Sequence, residues 1–288
     1  MTVRTIVFVA VACGAVPALA TDSAAEIVQR ALDRDNHNSQ LARDYTYREH
    51  SVSTAYDGKG IPGERRSQTH DVLMLYGRPY RRLVEEDGKP LSADDERKEE
   101  ERLQKAMDRR RKASQEDGRE RREYEKRRAE ERKLLQQIPL AFDFKMAGRE
   151  TIDGRPVFVI DAEPKRGYKS YDLRTGILPK MRGRMWIDAT EYQWVRIEAH
   201  VTGTISFGWV IARLGPGSSL NFEQRRVNDE LWLPAKAQIE LDGRFALFKK
   251  IRQGIELTYS NYKKFQADSR VVATDEDVES MKTRSDRP

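Results

Sequence analysis

The residues of this chain that could do chemistry are few and poorly arranged for catalysis. Its four histidines, His37, His50, His70 and His200, are scattered, and no two share a spacing that would set them on one helix turn as metal ligands or as an acid–base pair. The single cysteine, Cys13, lies in an apolar run at the N-terminus, so neither a disulfide nor a thiol nucleophile is expected in the mature protein. No glycine-rich phosphate loop, Gly-x-Ser-x-Gly elbow or His-Glu-x-x-His occurs. The 47 acidic residues are so many that some pair must fall close in any fold, so paired carboxylates carry no information. No catalytic residue, metal or cofactor is therefore expected.

What the residues can do is bury apolar area. Across Met185 to Val201, a β-hairpin pattern sets Val195, Ile197, Ala199 and Val201 on one side and Trp194, Arg196, Glu198 and His200 on the other. Further alternating runs supply Ile205, Phe207 and Trp209, then Phe222, Ile239, Leu257 and Tyr259. These nine residues, from Val195 and Ile197 to Tyr259, form the expected lining of a ligand site. Trp186, Trp194 and Trp232 form a competing row on the opposite alternation face, where three indoles would be costly to leave in water. The aliphatic row is the expected ligand face.

A framework of strands must position these rows. A short amphipathic helix is expected over Asp22 to Arg34, with strands at Asp44–Thr54, Asp71–Tyr76 and Tyr80–Glu86, punctuated by the turn pairs Asp57-Gly58 and Asp87-Gly88. Phe142, Phe144 and Met146 alternate, Asp153-Gly154 turns the chain, and Val157 to Ile160 is apolar on both faces, as a covered strand would be. About nine to eleven strands follow from this reading, joined mostly by short antiparallel connections. The fold class is mainly β with α: a curved antiparallel sheet that must cover its apolar face by curling or by laying helices across it.

Residues 1–20 have the layout of a cleavable secretory signal, with Arg4, an apolar run from Ile6 to Val16 and Ala18-Leu19-Ala20 before the cut. Removing Arg4 takes the formal charge from +6 to +5, a mild excess. An exported, periplasmic location is expected. The chain then divides into residues 21–91 with the first strands, a charged insertion at 92–137, the main sheet at 138–268 and a disordered tail at 269–288.

The insertion holds 16 Lys or Arg and 14 Asp or Glu among 46 residues. Acid-to-base pairs four apart recur, such as Asp94 with Lys98 and Glu101 with Lys105, which favours helix. Ser92 with Asp95 and Ser114 with Asp117 resemble capping boxes, and Gly118 interrupts, so two helices or a kinked one are expected. The interleaved signs cancel the field that phosphate backbones require, which argues against nucleic acid as a partner. A solvated helical hairpin is the plainer reading; docking of an envelope protein through 92–137 is the alternative.

The Arg184-Met185-Trp186-Ile187-Asp188 strand, its Trp194-Val195-Arg196-Ile197-Glu198 return and the closing Glu256-Leu257-Thr258-Tyr259-Ser260-Asn261-Tyr262 strand resemble the outer-membrane lipoprotein-sorting family of periplasmic carriers, chiefly over residues 142 to 266. That resemblance implies an incomplete β-barrel, covered by helices, whose concave face holds the acyl chains of lipids or lipoproteins without catalysis. The charged segment at 92–137 departs from the compact carriers, and the carriers' functional arginine maps onto no residue here.

Overall fold

The computed structural model describes residues 22–116, 119–172, 174–207, 212–245 and 249–264. The segments read as export signal and C-terminal tail lie outside the described residues, as does Trp209. The chain opens with helix α1 (Ala24–Leu41), whose start is fixed by a reciprocal capping box: the Glu26 N–H donates to Ser23 Oγ at 3.3 Å and the Ser23 N–H to Glu26 Oε2 at 2.7 Å. The helix runs a further two turns past Arg34, through a polar stretch with no apolar period. Asn38 accounts for that extension. Its buried side-chain amide donates to the Trp232 carbonyl at 2.6 Å and accepts from the Trp232 N–H at 2.8 Å, pairing with a strand as another strand would.

Four strands follow, β1 (Tyr45–Tyr56), β2 (Pro62–Leu75), β3 (Arg78–Glu86) and the short β4 (Lys89–Pro90). The β2–β3 turn is Tyr76-Gly77, both at positive φ (51° and 73°), and the β3–β4 turn is Asp87-Gly88 with the same geometry (50° and 73°). Two long helices come next, α2 (Ala93–Glu116) and α3 (Arg119–Gln136), then the single turn α4 (Ile138–Ala141). At the start of α2 the Asp95 N–H donates to Ser92 Oγ at 3.2 Å, the N-terminal half of the cap read from the sequence. The remaining strands are β5 (Phe142–Ile152), β6 (Arg155–Pro164), β7 (Met181–Asp188), β8 (Trp194–Val201), β9 (Ile205–Phe207), β10 (Ala212–Leu214), β11 (Ser219–Val227), β12 (Leu231–Phe245) and β13 (Lys249–Lys264).

Among the described residues these thirteen strands form one antiparallel sheet in the order β4-β3-β2-β1-β13-β12-β11-β8-β7-β6-β5, with the β9–β10 hairpin branching from β12. The two ends of that order, β4 and β5, are not paired with each other, so the barrel is incomplete. The first long strand, β1, sits beside the last, β13. Because β4 and β5 lie at opposite edges, α2 and α3 are the crossover that carries the chain from one edge to the other. The charged segment is thus a bridge over the sheet, with α2 against β3 and α3 against α1 and α4.

Two apolar layers sandwich the β5–β8 end. On the inner face, Ile27, Val28 and Ala31 of α1 pack with Phe158, Ile160, Met185, Ile187 and Trp194. On the outer face Val157, Val159, Trp186, Val195 and Trp232 form a second buried cluster, which no helix covers. Guanidinium groups cover it instead: Arg196 lies 5.4 Å from the Trp186 ring and Arg155 5.5 Å from the Trp232 ring, while the two indole N–H groups donate to Glu150 and Glu191.

Asp188 closes the β7–β8 connection. Its fully buried carboxylate accepts from the Thr190 and Glu191 N–H groups at 2.9 and 2.7 Å and from Arg155 in a bidentate pair at 2.6 and 3.1 Å. Burial pushes its pKa up, but the Arg155 and backbone hydrogen bonds outweigh that and hold it below the ordinary carboxylate value. A depressed carboxylate stabilises the fold above its unfolded pKa near 3.8, and this contribution is lost as pH falls through the folded pKa. Asp188→Asn is expected to cost about 2–4 kcal/mol in urea unfolding at pH 7. The difference between the variant and the parent should shrink in titrations below about pH 4.

Candidate functional site

Between the inner face of β6, β7, β8 and β11 and the junction of α3 with α4 lies an apolar cavity of about 390 Å³. Its floor is a row that crosses three strands: Met185 stands opposite Ile197, and Ile197 opposite Phe222. Trp194 and Phe142 flank the row, Leu178 and Met181 wall it on the approach to β7, and Leu135 and Ile138 roof it. The polar residues of the lining are Asp35, Arg182, Glu198 and Gln224, and the Gln224 Oε1 is buried with no hydrogen-bond partner among the described residues. Such a space can hold a hydrocarbon chain. Among the described residues no group of three or more His, Cys, Asp or Glu is placed to hold a metal ion.

A β-bulge decides which side chains reach this space. Trp186 pairs with Arg196 but Ile187 pairs with Trp194, so Val195 is an extra residue in β8. Strict alternation, the basis of the two expected rows, fails at that point. Ile197 and Trp194 face the cavity together, whereas Val195 turns outward to pack with Trp186 and Trp232. Val195 is therefore corrected to a buried residue of the outer layer, and the tryptophans do not share a face.

The other expected lining residues are dispersed. Phe222 is in the cavity floor. Ile205 is buried in the branching β9–β10 hairpin, away from the cavity; Phe207 ends β9, and its side chain, like all of Trp209, lies outside the described residues. Ile239 and Leu257 continue the inner face beyond Phe222: Ala237 stands opposite both Phe222 and Leu257, and Ile239 opposite Leu220. They flank the cavity without lining it. The roof residues Leu135 and Ile138 and the wall residues Leu178 and Met181 were not among the expected lining; the signal for Leu135 and Ile138 was the reappearance of apolar side chains where the charged run ends, while Leu178 and Met181 sit in or beside a connection without a clear period.

Farther along the inner face the surface turns polar. Tyr259 stands opposite Glu49 and packs edge-on against Tyr47 at 5.9 Å, with Tyr262 5.5 Å from Tyr47 on its other side. Burial, with Glu49 next in effect, pushes the Tyr259 hydroxyl up to about 12 and raises Tyr47, and burial with Tyr47 beside it raises Tyr262. Glu49 is nearly buried and pairs with Arg81 of β3. This tyrosine and ion-pair cluster closes one end of the apolar trough.

The helical bridge is pinned at that end by Arg110 of α2. Its guanidinium donates to the Leu75 and Arg78 carbonyls at 3.4 and 2.9 Å and to the Pro79 carbonyl at 3.1 Å, capturing the outer end of the β2–β3 hairpin. Tyr80 supports the same contact, lying 5.8 Å under Arg110 and donating to Glu99 at 3.0 Å; burial and that bond push its hydroxyl up to about 12. Leu103 and Ala106 are the buried apolar contacts of α2. Arg110→Ala removes the pin and is expected to speed amide hydrogen exchange in residues 99–116 by about tenfold or more, the equivalent of one or two lost charged hydrogen bonds. Exchange in β6–β8 should stay unchanged.

No family model and no curated protein matches the chain. Its structural neighbours include outer membrane lipoprotein-sorting, LolA superfamily and DUF1329 proteins. A putative outer membrane lipoprotein-sorting protein domain from Vibrio parahaemolyticus is 12% identical over 87% of this chain and 98% of its own, with a TM-score of 0.32. A DUF1329 family protein from Desulfovibrio piger is 11% identical over 85% and 96%, TM-score 0.30. A LolA superfamily protein from Nitrosomonas europaea is 8% identical over 85% and 94%, TM-score 0.30. Likenesses this loose leave the functional reading to the cavity's own residues.

Proposed function

We propose that this chain is an exported envelope protein that holds the acyl chain of a lipid or lipoprotein in the cavity between its open sheet and its helical bridge, for transport or sensing, without catalysis. The observation that carries this reading is the Met185–Ile197–Phe222 row roofed by Leu135 and Ile138. A chain laid along it exchanges water for apolar side chains at about 0.8 kcal/mol per methylene. A volume near 390 Å³ lies within the roughly 300–1,000 Å³ common for ligand sites. The export signal read over residues 1–20 supports an envelope location, and no helix among the described residues is long and apolar enough to cross a membrane.

Bromine on an acyl chain quenches only indoles that it touches, which makes Trp194 an internal probe. Titration with a brominated fatty acid is expected to quench the protein's fluorescence, and Trp194→Phe to remove a large part of that quenching. Trp186→Phe, on the outer face, should leave it in place. Phe222→Asp should weaken binding by at least about tenfold, since a carboxylate in the floor must be desolvated beside the chain. Saturable binding that is absent in the parent protein, or quenching that survives Trp194→Phe and is lost in Trp186→Phe, would refute the assignment.

A further inference from the structure

The apolar cavity has a polar neighbour. Between α1 and α3 lies a second compartment of about 440 Å³, and Asp35 and Leu135 line both, so the two spaces meet at that pair of side chains. Its charged groups are two and two: Arg128 and Arg132 from α3, Asp33 and Asp35 from α1. The arginines are four residues apart and so project from the same side of their helix. Within the compartment they are weakly used. Arg128 reaches only the Tyr124 hydroxyl, at 3.4 Å, and Arg132 forms no ion pair with another described residue. Asp35 is half-buried, with the Gln193 amide at 3.5 Å as its hydrogen-bond donor and Arg128 acting on it through space. Asp33 accepts only from Gln29, at 3.3 Å.

We propose that this compartment is a headgroup site for a zwitterionic amine–phosphate lipid, with the phosphate on Arg128 and Arg132, the amine on Asp33 and Asp35, and one acyl chain passing between Asp35 and Leu135 into the apolar cavity. The proposal rests on the acyl-binding reading above and adds the class of lipid. Its chemistry follows from the charge arrangement. A fatty acid would bring one anion and leave both carboxylates without a counter-charge. An anionic glycerol headgroup would satisfy the arginines in the same way and leave the acids without a counter-charge. A phosphate and an amine two carbons apart satisfy both pairs, and guanidinium groups favour phosphate geometry. The junction also has the required sequence of environments, from charged to apolar within one side chain of α3.

The test is selective loading. The purified chain is incubated with vesicles of equal phosphatidylethanolamine and phosphatidylglycerol, re-isolated, and its bound lipid measured by mass spectrometry. The ethanolamine lipid is expected in excess by about tenfold, the ratio that 1.4 kcal/mol of preference gives. Asp33→Asn with Asp35→Asn should bring the ratio back to that of the vesicles. Arg128→Gln with Arg132→Gln should lower the load of both phospholipids by about tenfold while the brominated fatty acid still quenches Trp194. Soluble phosphoethanolamine should compete weakly; if it binds as tightly as the lipid, the site serves a free metabolite and the proposal is overturned. Bound lipid in the vesicle ratio, or ratios unmoved in both double variants, also overturns it while leaving acyl binding intact. Absence of any bound lipid, with no quenching by the fatty acid, overturns both readings together.

Discussion

An antiparallel sheet that stays open with an apolar inner face has to be covered, and in this chain α1 covers the β5–β8 end while the connection between the two edges adds the roof of the cavity. Since β4 and β5 end on opposite margins, α2 and α3 carry the chain from one margin to the other, with α2 against β3 and α3 against α1 and α4. Their span is long enough: helices of 24 and 18 residues, at about 1.5 Å per residue, reach roughly 36 and 27 Å. The inner space therefore follows from topology. A closed barrel would fill its interior with side chains, and a sheet without the crossing would expose a broad apolar face to water.

The bulge at Val195 acts on the same space at the level of single side chains. Without the extra residue, Trp194 would point outward with Arg196, and the inner row would lose the wall of the cavity. With it, both faces gain: Trp194 joins Ile187 and Ile197 inside, and Val195 fills the outer layer between Trp186 and Trp232. Asp188 stands immediately beyond, anchoring the return of the chain through Arg155, and Arg155 in turn stacks on Trp232. Bulge, buried carboxylate and outer arginines thus form one connected device that fixes the register on which the Met185–Ile197–Phe222 row depends.

Much of this was legible in the residues. The antiparallel strands, the Asp87-Gly88 and Asp153-Gly154 turns, the Ser92 cap and the two charged helices follow from period, turn chemistry and capping, which act over a few residues. The placement of β1 beside β13 does not, because pairing between chain ends leaves no local trace. The bulge is similarly silent: Val195 and Ile197 alternate in the sequence whether or not a residue is looped out between the partners of Trp186 and Ile187. The extension of α1 rests on Asn38, whose value as a strand-like partner appears only when Trp232 is beside it. Local signals gave the elements, while the lining of the cavity depended on register and on distant partners.

The composition of the bridge sets how firmly the space is closed. Most of α2 and α3 is exposed and carries its own short-range ion pairs, such as Lys98 with Asp94 and Arg111 with Asp108, which persist whether or not the helices lie on the sheet. Exposed pairs of this kind contribute at most about 1 kcal/mol each and hold the helices together as helices, not onto the strands. Two anchors attach the bridge to the sheet, Arg110 with Leu103, Ala106 and the Glu100–Arg82 ion pair at the β3 edge and Leu134, Leu135 and Ile138 at the β5 edge. Opening the bridge has to break those anchors, so they and whatever fills the cavity both enter its free energy. A hydrocarbon chain between Leu135, Ile138 and Phe222 would add apolar contacts at the β5 anchor itself, which couples occupancy to closure without any further moving part.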